Sequence, residues 1–128
     1  MDSLADQVKD YIDLYNNVSF AELARKFPEH FKGEYSYTWS SLPNVYAWRG
    51  MSEEFTNILL DLVSNKKYTL KPTGWLTYLI DGICLDLPIY KGKKKKIKKP
   101  HWLPVVFVSP TPRPPTKPEI LKVFNPSF

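Results

Sequence analysis

Tyr78-Leu79-Ile80-Asp81-Gly82-Ile83-Cys84-Leu85 decides how the second half of the chain is read. Apolar residues flank Asp81-Gly82 on both sides, and an Asp-Gly pair accepts the positive φ of a type I′ turn. The stretch therefore predicts a β-hairpin with strands near 75–80 and 83–90. Further on, Trp102 to Val108 is mostly apolar and predicts another strand. Lys91 to His101 separates it from Tyr90, so a charged tip joining two strands makes a second hairpin.

Upstream, the hydrophobic period is helical. Leu4, Val8, Tyr11, Ile12 and Tyr15 form one stripe and predict a helix over 3–16. Asn16-Asn17 breaks it, and Ser19 with Glu22 forms a capping box that opens a second helix over about 20–27. Pro28 ends that helix, because proline disfavours helical geometry in the residue before it. Tyr35, Tyr37 and Trp39 alternate as in a half-buried strand, and Val45-Tyr46-Ala47-Trp48 is a short apolar strand. Ser52 followed by Glu53 and Glu54 starts a third helix, with Phe55, Ile58, Leu59, Leu62 and Val63 on its buried face.

At 128 residues with 43% apolar and 15% aromatic content, the chain is the size of one domain and can build a core. The division expected is an α+β body over 1–108 and a proline-rich tail over 109–128. The acidic start, Met1-Asp2-Ser3-Leu4-Ala5-Asp6, lacks the positive flank of a secretory signal. Trp75 to Ile89 is too short and too interrupted by Asp81, Gly82, Asp86 and Pro88 to span a bilayer. A cytoplasmic protein is expected, or a nuclear one in a eukaryotic cell, with no membrane partner. Cys84 is the lone cysteine; it reads as a small buried strand residue, and with only His30 and His101 it does not complete a zinc site.

Charge is divided unevenly along the chain. Residues 1–86 hold 8 Lys/Arg against 12 Asp/Glu, whereas residues 87–118 hold 9 Lys/Arg and no acid. The overall +5 thus comes from one basic segment on a mildly acidic body. Its centre is Lys91, Lys93, Lys94, Lys95, Lys96, Lys98 and Lys99, seven lysines in nine residues. Their mutual repulsion keeps them out of a core and sets them in solvent or opposite an anion. Lysines on a loop neutralise phosphates and release counterions, giving affinity without sequence information. His101 and Trp102 border the run as a phosphate contact and a base-stacking ring, and Arg25 and Lys26 add cationic groups late in the second helix.

The order of elements, two helices, a short strand, a third helix and then strands around a basic loop, resembles that of winged helix-turn-helix domains over roughly residues 3–108. The resemblance implies a winged-helix-like α+β fold, three N-terminal helices with a small antiparallel sheet, that binds DNA with the third helix in the major groove and the basic hairpin as the wing. The third helix departs from that pattern, since its exposed face carries Glu53, Glu54, Asn57, Asp61 and Asn65. Carboxylates repel phosphate, so the lysines are the stronger contact.

No phosphate-cradling glycine loop, nucleophile elbow or metalloprotease motif is visible, and Asp81 is accounted for by its turn. The expectation is a non-enzymatic nucleic-acid-binding protein, for DNA or RNA, without cofactor or metal. A protein-interaction module is the alternative: Pro112, Pro115 and Lys117 have the spacing of a polyproline ligand, and Ile120-Leu121-Lys122-Val123-Phe124 is apolar enough to dock on the body or on a partner. A small hydrolase or nuclease that includes Asp81 and Asp86 is the third reading.

Overall fold

The computed structural model describes residues 3–92 and 98–111. It is a mixed α+β fold in which two three-stranded sheets share one aromatic core.

Helix α1 (Leu4–Tyr15) is capped by Ser3, whose hydroxyl accepts from the Asp6 N–H at 3.1 Å, and it buries Val8, Ile12 and Asp13. Asn16 and Asn17, both at positive φ, turn the chain into the two-residue strand β1 (Val18–Ser19). Ser19 caps α2 (Phe20–Lys26) by accepting from the Glu22 N–H at 3.0 Å, as the capping box predicts. Pro28 ends α2, but it also opens a further short helix, α3 (Pro28–Phe31), where its fixed φ and missing N–H suit the first turn.

The alternating aromatics that follow lie in β2 (Lys32–Trp39), which pairs antiparallel with β3 (Leu42–Met51). β2 is an edge strand, exposed at almost every residue, and its register with β3 slips four times. Ser52 donates its hydroxyl to the His30 carbonyl at 2.6 Å and accepts from the Phe55 N–H at 3.1 Å, capping α4 (Glu53–Asn65). Phe55 of α4 packs on Phe27 and Phe31, and Leu59 and Leu62 complete the buried face.

Beyond β4 (Thr69–Pro72) the structure departs from the expected hairpin. Residues Trp75–Asp81 form a helix, α5, and Gly82 is its left-handed cap at φ 96°. The Gly82 N–H reaches the Leu79 carbonyl at 3.2 Å and the Ile83 N–H reaches the Tyr78 carbonyl at 3.3 Å, the pairing of a Schellman end. A type I′ turn needs positive φ at both central residues, and Asp81 is not among the positive-φ residues. The glycine was required, but by a helix terminus. Residues 83–90 contribute one isolated bridge, at Ile89, in place of a strand.

The expected strand over Trp102 to Val108 is split at Leu103-Pro104. β5 (His101–Trp102) joins β3 in parallel, while β6 (Val105–Val108) lies between β1 and β4 in the other sheet, antiparallel to both. Ile89 meets Trp102 in parallel as well, so the segments flanking the lysine run do not form the expected hairpin and wing.

The core runs between the sheets. Phe20 stacks on Trp48 with ring centroids 5.9 Å apart and meets Phe107 edge-on at 5.0 Å; Tyr78 lies 5.4 Å from Trp48 and 4.9 Å from Trp102. Asp13, one of two buried carboxylates among the described residues with Glu22, sits at the edge of this core. The Asp13 carboxylate accepts from the hydroxyls of Tyr68 and Ser109 and from the Lys9 ammonium, the last two at 2.7 and 2.9 Å. The node ties α1 to the start of β4 and the end of β6. Burial alone would raise the Asp13 pKa, but the Ser109 and Tyr68 hydroxyls and Lys9 outweigh it and hold the carboxyl below its ordinary value.

Two outcomes are expected from unfolding measurements. Asp13→Asn keeps the shape and leaves an amide oxygen for the two hydroxyls, which both donate to Oδ1. It sets amide protons against the Lys9 ammonium at the Oδ2 position and removes the charge, and costs about 2–3 kcal/mol. Because the folded-state pKa is depressed, this contribution is present above the ordinary carboxylate pKa and is lost as pH falls through the folded value, so the stability gap between parent and variant closes in acid. Gly33→Ala places a Cβ 2.5 Å from the Met51 carbonyl oxygen and 2.6 Å from the Ser52 Cα. Backbone on both counts cannot rotate away, and urea unfolding should show a loss of about 1–3 kcal/mol.

Candidate nucleic-acid interface

The two ends of the lysine run are clipped together by main-chain bonds. The Trp102 N–H donates to the Pro88 carbonyl and the Tyr90 N–H donates to the Trp102 carbonyl, each at 2.8 Å. Residues 91–101 therefore leave and re-enter the body at one place, on the rim where β5 meets Val45 and Tyr46 of β3. Lys91, Lys98 and Lys99 are exposed there. Lys93, Lys94, Lys95 and Lys96 lie outside the described residues, as do Pro112, Pro115 and Lys117.

His101 is half-buried, and its Nδ1 lies 2.8 Å from the Lys99 carbonyl oxygen. A carbonyl only accepts, so Nδ1 carries the proton and Nε2 is the atom left for another partner. Trp102 has a different place from the one its position suggests. Its ring is 2% exposed, wedged against Tyr78 and Trp48, and its indole N–H donates to the Ala47 carbonyl at 3.3 Å. A buried indole offers no face to a base; Trp102 is the anchor of the loop, not a stacking platform.

Arg25 and Lys26 are exposed at the end of α2, with the Lys26 ammonium 6.0 Å from the centroid of the Tyr11 ring. That end of α2 packs through Phe27 on Phe55, beside the Met51 end of β3. The described ends of the lysine run sit at the Val45 end, about 20 Å away at ordinary strand rise. Among the described residues, Arg25 and Lys26 do not join Lys91, Lys98 and Lys99 in one patch. It instead adds Arg49, exposed on β3, with its guanidinium 5.3 Å from the centroid of the Tyr46 ring. Tyr46 is the register partner of Trp102, so this cation stands beside the loop base. An isolated arginine in an apolar strand carries no sequence signal for such a role.

The exposed face of α4 carries Glu53, which accepts from the Tyr35 hydroxyl at 2.6 Å, together with Glu54 and the partly exposed Asp61. Asp81 is held by structure, since its Oδ2 accepts from the Ser19 hydroxyl at 2.6 Å. Asp86 is exposed in an irregular segment. Cys84, expected inside a strand, is exposed just after the α5 cap. Among the described residues no three His, Cys, Asp or Glu side chains gather as a metal site, and no helix is long and apolar enough to cross a membrane. No family model, curated protein or solved structure matches the chain.

The roles of anchor and contact separate by stability. Trp102→Ala empties a core position and should cost about 3–5 kcal/mol in urea unfolding. Lys99→Gln should stay within about 0.5 kcal/mol of the parent, as an exposed position does.

Proposed function

We propose that the protein binds nucleic acid, DNA or RNA, through phosphate contacts from the lysine-rich loop between Tyr90 and Trp102. The observation that carries this reading is the main-chain clip at Trp102, which gathers the flanks Lys91 and Lys98-Lys99 at one rim. A chain segment with seven lysines in nine residues and no acid from 87 to 118 has its charge concentrated in this loop. His101 and Arg49 flank it as further cationic or hydrogen-bonding groups. No base-reading element is included. The winged-helix mode of docking is not part of the proposal either, because α4 turns carboxylates outward and the loop is closed by parallel pairing.

Binding of this kind is electrostatic and sequence-tolerant. With about five phosphates neutralised, log K falls with log salt at a slope of roughly −4 to −5 on a duplex. Titration of a labelled duplex and a labelled single strand at several salt concentrations measures it. Replacing Lys93, Lys94, Lys95 and Lys96 with glutamine deletes four charges and keeps polar side chains of similar length. The expected result is unchanged stability, a steep loss of affinity at low salt and a slope shallower by about one unit per lost contact. A variant that binds like the parent would put the contact elsewhere.

A further inference from the structure

Helix α5 is turned inside out. Its inward side presents Thr77, Tyr78 and Asp81, whose polar atoms meet Thr73, the Val105 carbonyl and Ser19. Its outward side presents Trp75, Leu76 and Leu79, followed by Ile83 after the cap, at 52, 49, 53 and 39% exposure. Among the described residues these are four of the six large apolar side chains left most exposed. Single exposed leucines are ordinary, but a contiguous stripe marks a surface that something covers.

We propose that the cover is the C-terminal segment of the same chain, Ile120-Leu121-Lys122-Val123-Phe124, which lies outside the described residues. The place where the described chain ends supports it. Ser109 is pinned to Asn16 and Asp13 at 2.8 and 2.7 Å, at the end of β6, the central strand of its sheet. The neighbouring strand β1 holds α5 directly, through Ser19 and Asp81, and Ser19 is in register with Val106. From Thr111 back to that level is five residues of strand, about 17 Å. Eight residues, 112–119, lie between Thr111 and Ile120, and the nine steps across them, at about 3.1 Å each in extended polyproline geometry, reach about 28 Å.

Chemistry and size agree with this occupant. The outward face of α5 carries no charge, and in the last ten residues Glu119 and Lys122 cancel. Four apolar side chains in five residues meet three on the helix and Ile83 just beyond it. A patch of this kind, on the order of a few hundred Å², suits a short segment but falls short of the roughly 800 Å² that each partner of a stable complex buries. A tethered segment needs less, because its effective concentration is on the order of millimolar.

Cys84 supplies the test, being the single cysteine, exposed, and next to Ile83. In the full-length chain, Leu121→Asp with Phe124→Asp should raise the rate at which Cys84 reacts with a chromogenic disulfide by about three- to tenfold, and should increase binding of an apolar fluorescent dye. Leu79→Asp, on the helix side, should raise the thiol rate likewise. All rates should be independent of protein concentration. No change in either readout with the tail variant overturns the proposal, and so does a parent rate that rises on dilution, which would make a second copy the cover. Neither outcome bears on nucleic-acid binding, which the salt titration judges separately.

Discussion

The side chain of Tyr78 joins the two sheets. Its hydroxyl donates to the Val105 carbonyl at 2.5 Å and accepts from the Phe20 N–H at 3.1 Å, so it ties the strand β6 to the first residue of α2. Its ring, fully buried, lies against Trp48 and Trp102 of the other sheet. Burial drives its pKa upward, and the hydroxyl stays protonated as a donor across the physiological range. Both backbone groups it satisfies are in the interior, where leaving either unpaired costs about 1–3 kcal/mol. The orientation of α5 follows from this side chain. With Tyr78 facing inward, Thr77 and Asp81 follow it, and the leucines have only the outside left.

The first helices were legible because their signals are local. The stripe from Leu4 to Tyr15, the Ser19 cap, the stop at Pro28 and the cap at Ser52 each act within one or two turns. The second half turns on distant contacts. Asp81-Gly82 announces a glycine at positive φ, a need shared by hairpin turns and helix ends, and the apolar run before it satisfies either period. The tie-breakers were Tyr78 finding Phe20 and Val105, and Asp81 finding Ser19, across 58, 27 and 62 residues. The split of the last apolar stretch is similarly non-local. Pro104 accepts from the Thr73 N–H at 2.9 Å, which holds the chain where it crosses between sheets.

For the candidate interface, composition found the lysines but not their footing. Charge density is a property of the sequence alone; the closing of the loop depends on Pro88 and Tyr90 meeting Trp102 across the whole run. An aromatic beside lysines looks the same in one dimension whether it faces solvent or the core. Trp102 lies in the core because three buried aromatic and main-chain neighbours, Trp48, Tyr78 and Ala47, surround it. Arg25 and Lys26 belong with the Met51 end of the long hairpin for the same reason, since the packing of Phe27 on Phe55 fixes that end of α2.

The slipped register of β2 has a consequence for how many copies of this chain coexist in solution. An eight-residue edge strand with one free row of amides and carbonyls is a template on which identical molecules add strands and grow fibrils. Such growth needs donors and acceptors at even spacing. Four shifts between Lys32 and Trp39 break that spacing, and each adds local twist. An incoming flat strand would match only a few bonds before falling out of step. The irregular register thus makes the open edge a poor template for strand addition.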